Sequence, residues 1–183
     1  MKLLLINGWC GSGKDALADY MVKLHGYKKL SFAYPLKIMA SQKYDIPLSV
    51  FNTQSGKSTV IDMLNTGKVT PRMLLVDLAK KLRKEDNEIF VKKTLGKIHL
   101  NRHKNIVIPD FRYGVEFDYL REFCTTHEVI TSKIIRFDKP PLDIESERQL
   151  DNFRPDITIK NDGDLDVLLE KSNKLVDVIE EFF

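Results

Sequence analysis

Two rhythms of apolar residues alternate along the chain. Short, nearly continuous apolar runs occupy Lys2 to Asn7, Lys28 to Phe32, Asn105 to Pro109, Val129 to Phe137 and Asp156 to Lys160, and their length and spacing predict strands. The stretches between them repeat at helical spacing, as in Ala16, Leu17, Tyr20, Met21 and Leu24, or Leu168, Leu169, Leu175, Val176 and Ile179 near the end. Strands that alternate with helices predict an α/β fold of three layers, a five-stranded parallel sheet covered on both faces. Between the second and third strands, Pro35 to His103 shows helical periodicity and no convincing strand. Its clearest apolar stripe runs from Val69 to Arg83 through Leu74, Leu75, Leu78 and Leu82. This interval predicts a helical insertion over about residues 38–103, and a second, short one is expected over 139–155. Ligands of such sheets sit at the carboxyl ends of the strands, so Gly8, Phe32, Asp110 and Asn161 are expected along one edge.

The turn after the first strand reads Gly8-Trp9-Cys10-Gly11-Ser12-Gly13-Lys14-Asp15. This is the glycine spacing of a P-loop, with Asp15 where Ser or Thr usually stands. Glycines let backbone N–H groups turn inward around a polyphosphate, and a lysine supplies a point charge to its outer oxygens. The turn and the start of the next helix, Gly8, Gly11, Ser12, Gly13, Lys14, Asp15 and Ala16, are therefore the expected ATP contacts. Asn161-Asp162-Gly163 is a turn by composition, and its expected place beside the loop makes Asn161 and Asp162 candidates for a wall against the adenine ring.

Composition narrows the partners. With 183 residues and 43 % hydrophobic content the chain suits one domain with one substantial core. A net charge of +3, from 29 basic and 26 acidic residues, falls short of the excess expected of a nucleic-acid binder. Cys10 and Cys124 are too few for a disulfide framework and are read as free thiols in a reducing compartment. Neither a signal-peptide pattern nor a membrane-length apolar run is present, so the expected location is the cytoplasm.

Further candidates lie outside the loop. Gln54-Ser55-Gly56-Lys57-Ser58 contains G-K-S, but Phe51 stands where a second P-loop needs its first glycine; Lys57 is kept as a single cation near substrate. Asp110 ends a buried run and can hold magnesium or its water, or else cap the next helix; Arg112 and Glu116 follow it. Thr70-Pro71-Arg72 opens the strongest helix of the insertion, where Arg72 can grip a monophosphate or lie solvated at the surface. The basic run Lys80 to Lys84 lacks interleaved aromatics and reads as a solvated helix end. His25, His99, His103 and His127 show no metal-binding spacing. Magnesium carried in with the nucleotide is the one metal inferred.

Several motifs together resemble the deoxynucleoside monophosphate kinases of the phage and large-virus type, a branch of the P-loop nucleoside monophosphate kinases. The loop ending in Lys14-Asp15 is similar to that family's, as are Phe32-Ala33-Tyr34-Pro35-Leu36-Lys37, Thr70-Pro71-Arg72-Met73-Leu74-Leu75 and Asp110-Phe111-Arg112-Tyr113 with Glu116. Ser146-Glu147 and Asp156 to Gly163 resemble its lid and base-binding segments. The resemblance implies that Lys37, Arg72 and Arg112 bind the acceptor monophosphate; Phe32, Lys57, Asp110 and Glu116 are the further expected acceptor contacts. It also implies that Asp15 assists Mg²⁺, beside the Asp110 already expected there, and that Arg136 or Arg148 closes over the transferred group. Tyr34 departs from the aspartate expected after F-A, which leaves the base open. The implied partners are ATP and a nucleoside monophosphate, without nucleic acid or membrane, and a homodimer is an allowed assembly. Two rivals stand beside this reading: another small-molecule kinase, such as the animal-type phosphomevalonate kinases, which share the Lys-Asp ending, and a nucleotide-binding module without catalysis.

Overall fold

The computed structural model describes residues 1–63, 67–138 and 145–183, with only the backbone described at Ser146 and Glu147. The expected second insertion therefore lies partly outside the described residues: 139–144 entirely, and the side chains of Ser146 and Glu147.

The chain begins with β1 (Lys2–Asn7), α1 (Lys14–His25) and β2 (Lys28–Lys29), followed by helices α2 (Ala33–Tyr44), α3 (Leu48–Asn52) and α4 (Gln54–Ser58). A ribbon of β3 (Ile61–Met63) and β4 (Gly67–Val69) leads into α5 (Pro71–Glu85) and α6 (Ile89–Leu100). Then come β5 (Ile106–Ile108), α7 (Gly114–Phe123), β6 (Glu128–Ile135), the single turn α8 (Glu145–Arg148), β7 (Ile157–Lys160) and α9 (Leu165–Phe182). Chain contacts define two units, one of Met1–Ser31 with Thr94–Phe183 and one of Phe32–Lys93.

In the first unit five parallel strands lie in the order β2-β5-β1-β6-β7. Its centre is β1, where Leu3, Leu4, Leu5 and Ile6 have no exposure at all. A strand bonded on both sides and covered on both faces needs apolar side chains at every position, which is why it reads as a run and not as an alternation. Leu4 and Ile6 pack with Leu17 and Met21 of α1 and Leu168, Leu175 and Ile179 of α9. Leu3 and Leu5 point to the opposite face by the alternation of the pleat. Asp164 caps α9 by accepting from the N–H groups of Asp166 and Val167, both at 3.1 Å.

Strand ends differ from the expected ones for local reasons. β2 stops at Lys29 instead of Phe32: it is an edge strand bonded to β5 alone, and Phe32 is already the N-cap of α2. β7 starts one residue late because the Asp156 carboxylate takes the backbone N–H of Thr131 at 2.8 Å and its hydroxyl at 2.7 Å, occupying the edge where pairing would begin.

In the second unit α5 packs against α2, α3 and α4. The ribbon β3–β4 contradicts the expectation of no strand in this interval; with three residues on each side, it is too short to build an alternating pattern. The unit spans Phe32–Lys93, against the insertion of 38–103 read from sequence. Among the described residues no helix is long and apolar enough to cross a membrane.

Truncating the centre of β1 should be costly. Leu4→Ala is expected to lower the unfolding free energy by about 2–5 kcal/mol, whereas Val22→Ala on the exposed side of α1 should change it by less than about 0.5 kcal/mol. Urea denaturation checks both; equal midpoints for the two variants would contradict this description of the core.

Candidate functional site

The backbone shape of residues 8–15 follows from what surrounds them. β1 runs into the loop, and α1 starts directly after it, with Gly13 as N-cap in the left-handed region at φ +100°. Gly8 has no room for a side chain, since a Cβ there would lie 2.6 Å from Ile134 Cγ2 and 2.7 Å from the Ile134 carbonyl oxygen. Ser12 N–H closes the turn on the Trp9 carbonyl at 3.1 Å. Lys14 is 8 % exposed and donates from Nζ to the same carbonyl at 2.8 Å. A strand, a nest of turned N–H groups, a buried lysine and the N-terminal end of a 12-residue helix thus stand in sequence, the arrangement that binds anions.

Parallel register sets the neighbours of this loop. Leu5 pairs with Ile108 and Asn7 with Lys133, so the chain after β5 and the chain after β6 emerge on either side of it. Asn7 Nδ2 donates to the Phe111 carbonyl at 3.0 Å and ties the end of β1 to the segment carrying Asp110 and Arg112. Asp110 accepts from the Ser31 hydroxyl at 2.7 Å. It is not the N-cap of α7, which is Tyr113. Asn161 follows β7 and is 2 % exposed.

Glu116, expected as an acceptor contact, makes a local contact in the turn before α7. It is 1 % exposed, and its Oε2 accepts from the backbone N–H groups of Arg112 at 3.0 Å and Tyr113 at 3.2 Å. Standing at the third position of α7, it serves as the carboxylate half of a capping box. It therefore shapes the turn that presents the half-buried Arg112. Phe111 and Phe117 both pack edge-on against Phe153, at ring-centroid distances of 5.4 Å and 5.6 Å, which anchors the chain beyond α8 to the same turn.

Charged groups around the loop are already partnered. Asp15, with a side chain 74 % exposed, is paired with Lys29 at 3.2 Å, and Lys29 also holds Asp19 at 2.9 Å. Burial alone would lower the Lys29 pKa, but the hydrogen bond to Asp19, the charges of both aspartates and the bond to Asp15 outweigh it and raise it. Arg136, just past β6, is paired through Nε with Asp138 at 2.9 Å. Arg148 is exposed on α8. Asp162 is paired with Lys171 at 2.5 Å, and the bond to that ammonium lowers its pKa.

Among the described residues no three His, Cys, Asp or Glu side chains cluster as a metal cage. A magnesium ion held chiefly by phosphate oxygens needs only one or two carboxylates. Asp110 at the mouth of the sheet fits that demand, and so does Asp15 at the start of α1.

The second unit groups the other cations. Arg72 donates to Gln54 Oε1 at 2.7 Å and Lys37 to Asn52 Oδ1 at 3.2 Å, so two residues flanking Thr53 hold both. Their partners are neutral amides, which orient a cation without cancelling its charge. Among the described residues neither Lys37 nor Arg72 has a carboxylate partner. Thr70 caps α5 with Pro71 at its first turn, as the T-P-R spacing predicts. The G-K-S of α4 has its own explanation: a Cβ on Gly56 would lie 2.4 Å from the Val50 carbonyl oxygen, so the glycine permits close helix packing. Lys57 is half-buried on that helix. Phe32, 2 % exposed, begins the unit.

Two features were missed or only partly anticipated by sequence reasoning. Asn7, Asn52 and Gln54 carried no signal, because a single polar residue at the end of an element looks like any cap. Cys124 and His127 form a buried contact of 3.5 Å in the turn before β6; burial raises the thiol pKa, and burial with the N-terminal and His99 charges lowers that of the imidazole. Such a pair stays neutral and packs.

No family model matches the chain. It is similar to the "Putative deoxynucleotide monophosphate kinase" of Acanthamoeba polyphaga mimivirus, 26 % identical over 197 aligned positions that cover 100 % of this chain and 93 % of that protein. The resemblance drawn from the motifs is thereby met by a full-length relative. Among solved structures, the dephospho-CoA kinase of Campylobacter jejuni aligns at a TM-score of 0.54 and 16 % identity, covering 98 % of each chain. The TT1252 protein of Thermus thermophilus aligns at a TM-score of 0.52 and 18 % identity, over 100 % of this chain and 98 % of that one. The chain has the three-layer α/β fold of the P-loop kinases.

Removing the buried carboxylate should loosen the Arg112 turn. Glu116→Ala is expected to cost about 1–3 kcal/mol of stability. Glu116→Gln, which keeps one acceptor oxygen, should cost less. Thermal unfolding of both variants measures the difference, and wild-type stability for Glu116→Ala would refute the capping role.

Proposed function

We propose that the protein transfers the γ-phosphoryl group of ATP to a (deoxy)nucleoside 5′-monophosphate, giving the diphosphate and ADP. The observation that carries this reading is the pair of cations in the second unit, Lys37 and Arg72, that are oriented through neutral amide oxygens; the first unit carries the glycine-rich loop with its buried Lys14. Cations kept oriented and uncompensated suit an anionic acceptor. The similarity to a viral protein named as a deoxynucleotide monophosphate kinase supports the same substrate class.

Phosphoryl transfer asks a protein for alignment and charge neutralisation more than for covalent chemistry. The turned N–H groups of Gly8 to Lys14 hold the β- and γ-phosphates, and the Lys14 ammonium, which has three donors, neutralises charge that grows on their oxygens. Lys37, Arg72 and Arg112, the last in the turn shaped by Glu116, are the proposed grips on the acceptor phosphate. The bond that forms joins an acceptor phosphate oxygen to the γ-phosphorus; the bond that breaks releases ADP. That oxygen is ionised at neutral pH, so no general base is required. Arg136, directly past β6, or Arg148 on α8 closes over the transferred group. Magnesium bound with ATP would be held by Asp110 and Asp15 and would neutralise phosphate charge. Phe32 and Tyr34 stand at the acceptor's base.

The deciding experiment is an acceptor panel of dNMPs, NMPs and phosphomevalonate with ATP and Mg²⁺. Turnover with one or more nucleoside monophosphates is expected, and turnover with phosphomevalonate alone would replace this substrate class. Two variants assign roles. Lys14→Ala should lower kcat by about 10²–10³-fold with folding intact, as loss of a preorganised cation does. Arg72→Ala should raise the acceptor KM and lower kcat while leaving the ATP KM nearly unchanged; unaltered acceptor kinetics would remove Arg72 from the site.

A further inference from the structure

Asn161 was expected to face the adenine ring, but it is buried beneath the phosphate loop. Its backbone N–H donates to the Ile135 carbonyl at 2.7 Å, continuing the sheet by one bond beyond β7. Its side-chain Nδ2 donates to the Ser12 carbonyl at 2.8 Å, across 149 residues of sequence. Its Oδ1 is buried with no hydrogen-bond partner. The orientation is fixed by chemistry, because an amide turned the other way would set one oxygen against another. An amide whose oxygen is left unpaired inside the protein is a costly way to fill space. The task must lie at its nitrogen.

The peptide between Ser12 and Gly13 shows what that task is. No peptide bond among the described residues is cis, so the Ser12 C=O and the Gly13 N–H point in opposite directions across one plane. Drawing the oxygen down onto Asn161 aims the Gly13 N–H away from the protein's interior. That N–H has no partner among the described residues. Gly13 itself is cut to fit: it sits at φ +100°, and a Cβ there would lie 2.5 Å from Asn161 Nδ2. The glycine and the asparagine are complementary halves of one contact.

We infer that Asn161 is a positioning residue for the phosphate loop, holding the Ser12–Gly13 peptide so that the Gly13 N–H is presented to a polyphosphate. It acts on the phosphates through the backbone and not on the base. The inference rests on the reading of residues 8–15 as a phosphate site.

Binding of two ligands tests it, ATP and inorganic tripolyphosphate, each with Mg²⁺ and each titrated calorimetrically into the wild type, Asn161→Ala and Asn161→Asp. Within each variant the loss of affinity should be the same for ATP as for tripolyphosphate, about tenfold for Asn161→Ala, the worth of one buried hydrogen bond. Asn161→Asp should lose more, since it sets a carboxylate against the Ser12 oxygen. The acceptor KM should stay unchanged. In ¹H–¹⁵N spectra tripolyphosphate should shift the Gly13 amide strongly in the wild type and weakly in Asn161→Ala. Loss of ATP affinity with tripolyphosphate binding intact would assign Asn161 to the base and overturn the inference, as would wild-type affinities in both variants. A wild-type protein that binds neither ligand would instead sink the phosphate reading of the loop, and this inference with it.

Discussion

The pairing of β1 on both edges is the constraint on which the rest of the structure depends. Its backbone groups are used by β5 on one side and β6 on the other, and its side chains are wholly buried above and below. A strand so enclosed cannot slip, because a shift of one residue would exchange the two faces of Leu3 to Ile6 and break both ladders. The point where it ends is therefore fixed, and with it the start of the phosphate loop. Ile134 of β6 closes the space beneath Gly8, so that the same pairing that orders the sheet also dictates a glycine in the loop.

From this fixed point the site is assembled by polar side chains that bind backbone. Asn7 holds the Phe111 carbonyl, Glu116 holds the N–H groups of Arg112 and Tyr113, and Asn161 holds the Ser12 carbonyl. Each spends its hydrogen bonds on a neighbouring segment. The groups they orient, the backbone around Ser12 and Gly13 and the turn that carries Arg112, are those the proposed phosphoryl transfer uses. Asn52 and Gln54 do the same for Lys37 and Arg72 in the second unit, with a choice of neutral amides that preserves positive charge. Where full charges do meet, as in Lys29 with Asp15 and Asp19, the pair lies at the surface, where such contacts contribute little stability.

Much of the fold was legible before any coordinates. The five strands, their parallel order of use, the loop after the first of them and the long helix at the end follow from apolar runs, glycine spacing and helical periodicity. The ribbon β3–β4 was not legible, since three residues a side carry no period. Within the candidate site, the residue types suited to phosphate were readable because that chemistry demands them: glycine for close approach, lysine and arginine for charge. Glu116 and Asn161 were picked out, but not their protein partners, the N–H groups of Arg112 and Tyr113 and the Ser12 carbonyl. A buried carboxylate that caps a helix and one that faces a ligand have the same sequence signature.

What the sequence determined by itself is thus the set of elements and the chemical inventory, because propensity, burial and glycine's conformational freedom act on residues close together along the chain. What only the tertiary structure decided is which way each polar group turns. Asn161 and Ser12 lie 149 positions apart, and nothing local records that β7 ends under the loop. Their contact exists because parallel strands β1, β6 and β7 deliver three carboxyl ends to one edge, where a free amide finds a carbonyl oxygen and a glycine leaves the room to reach it.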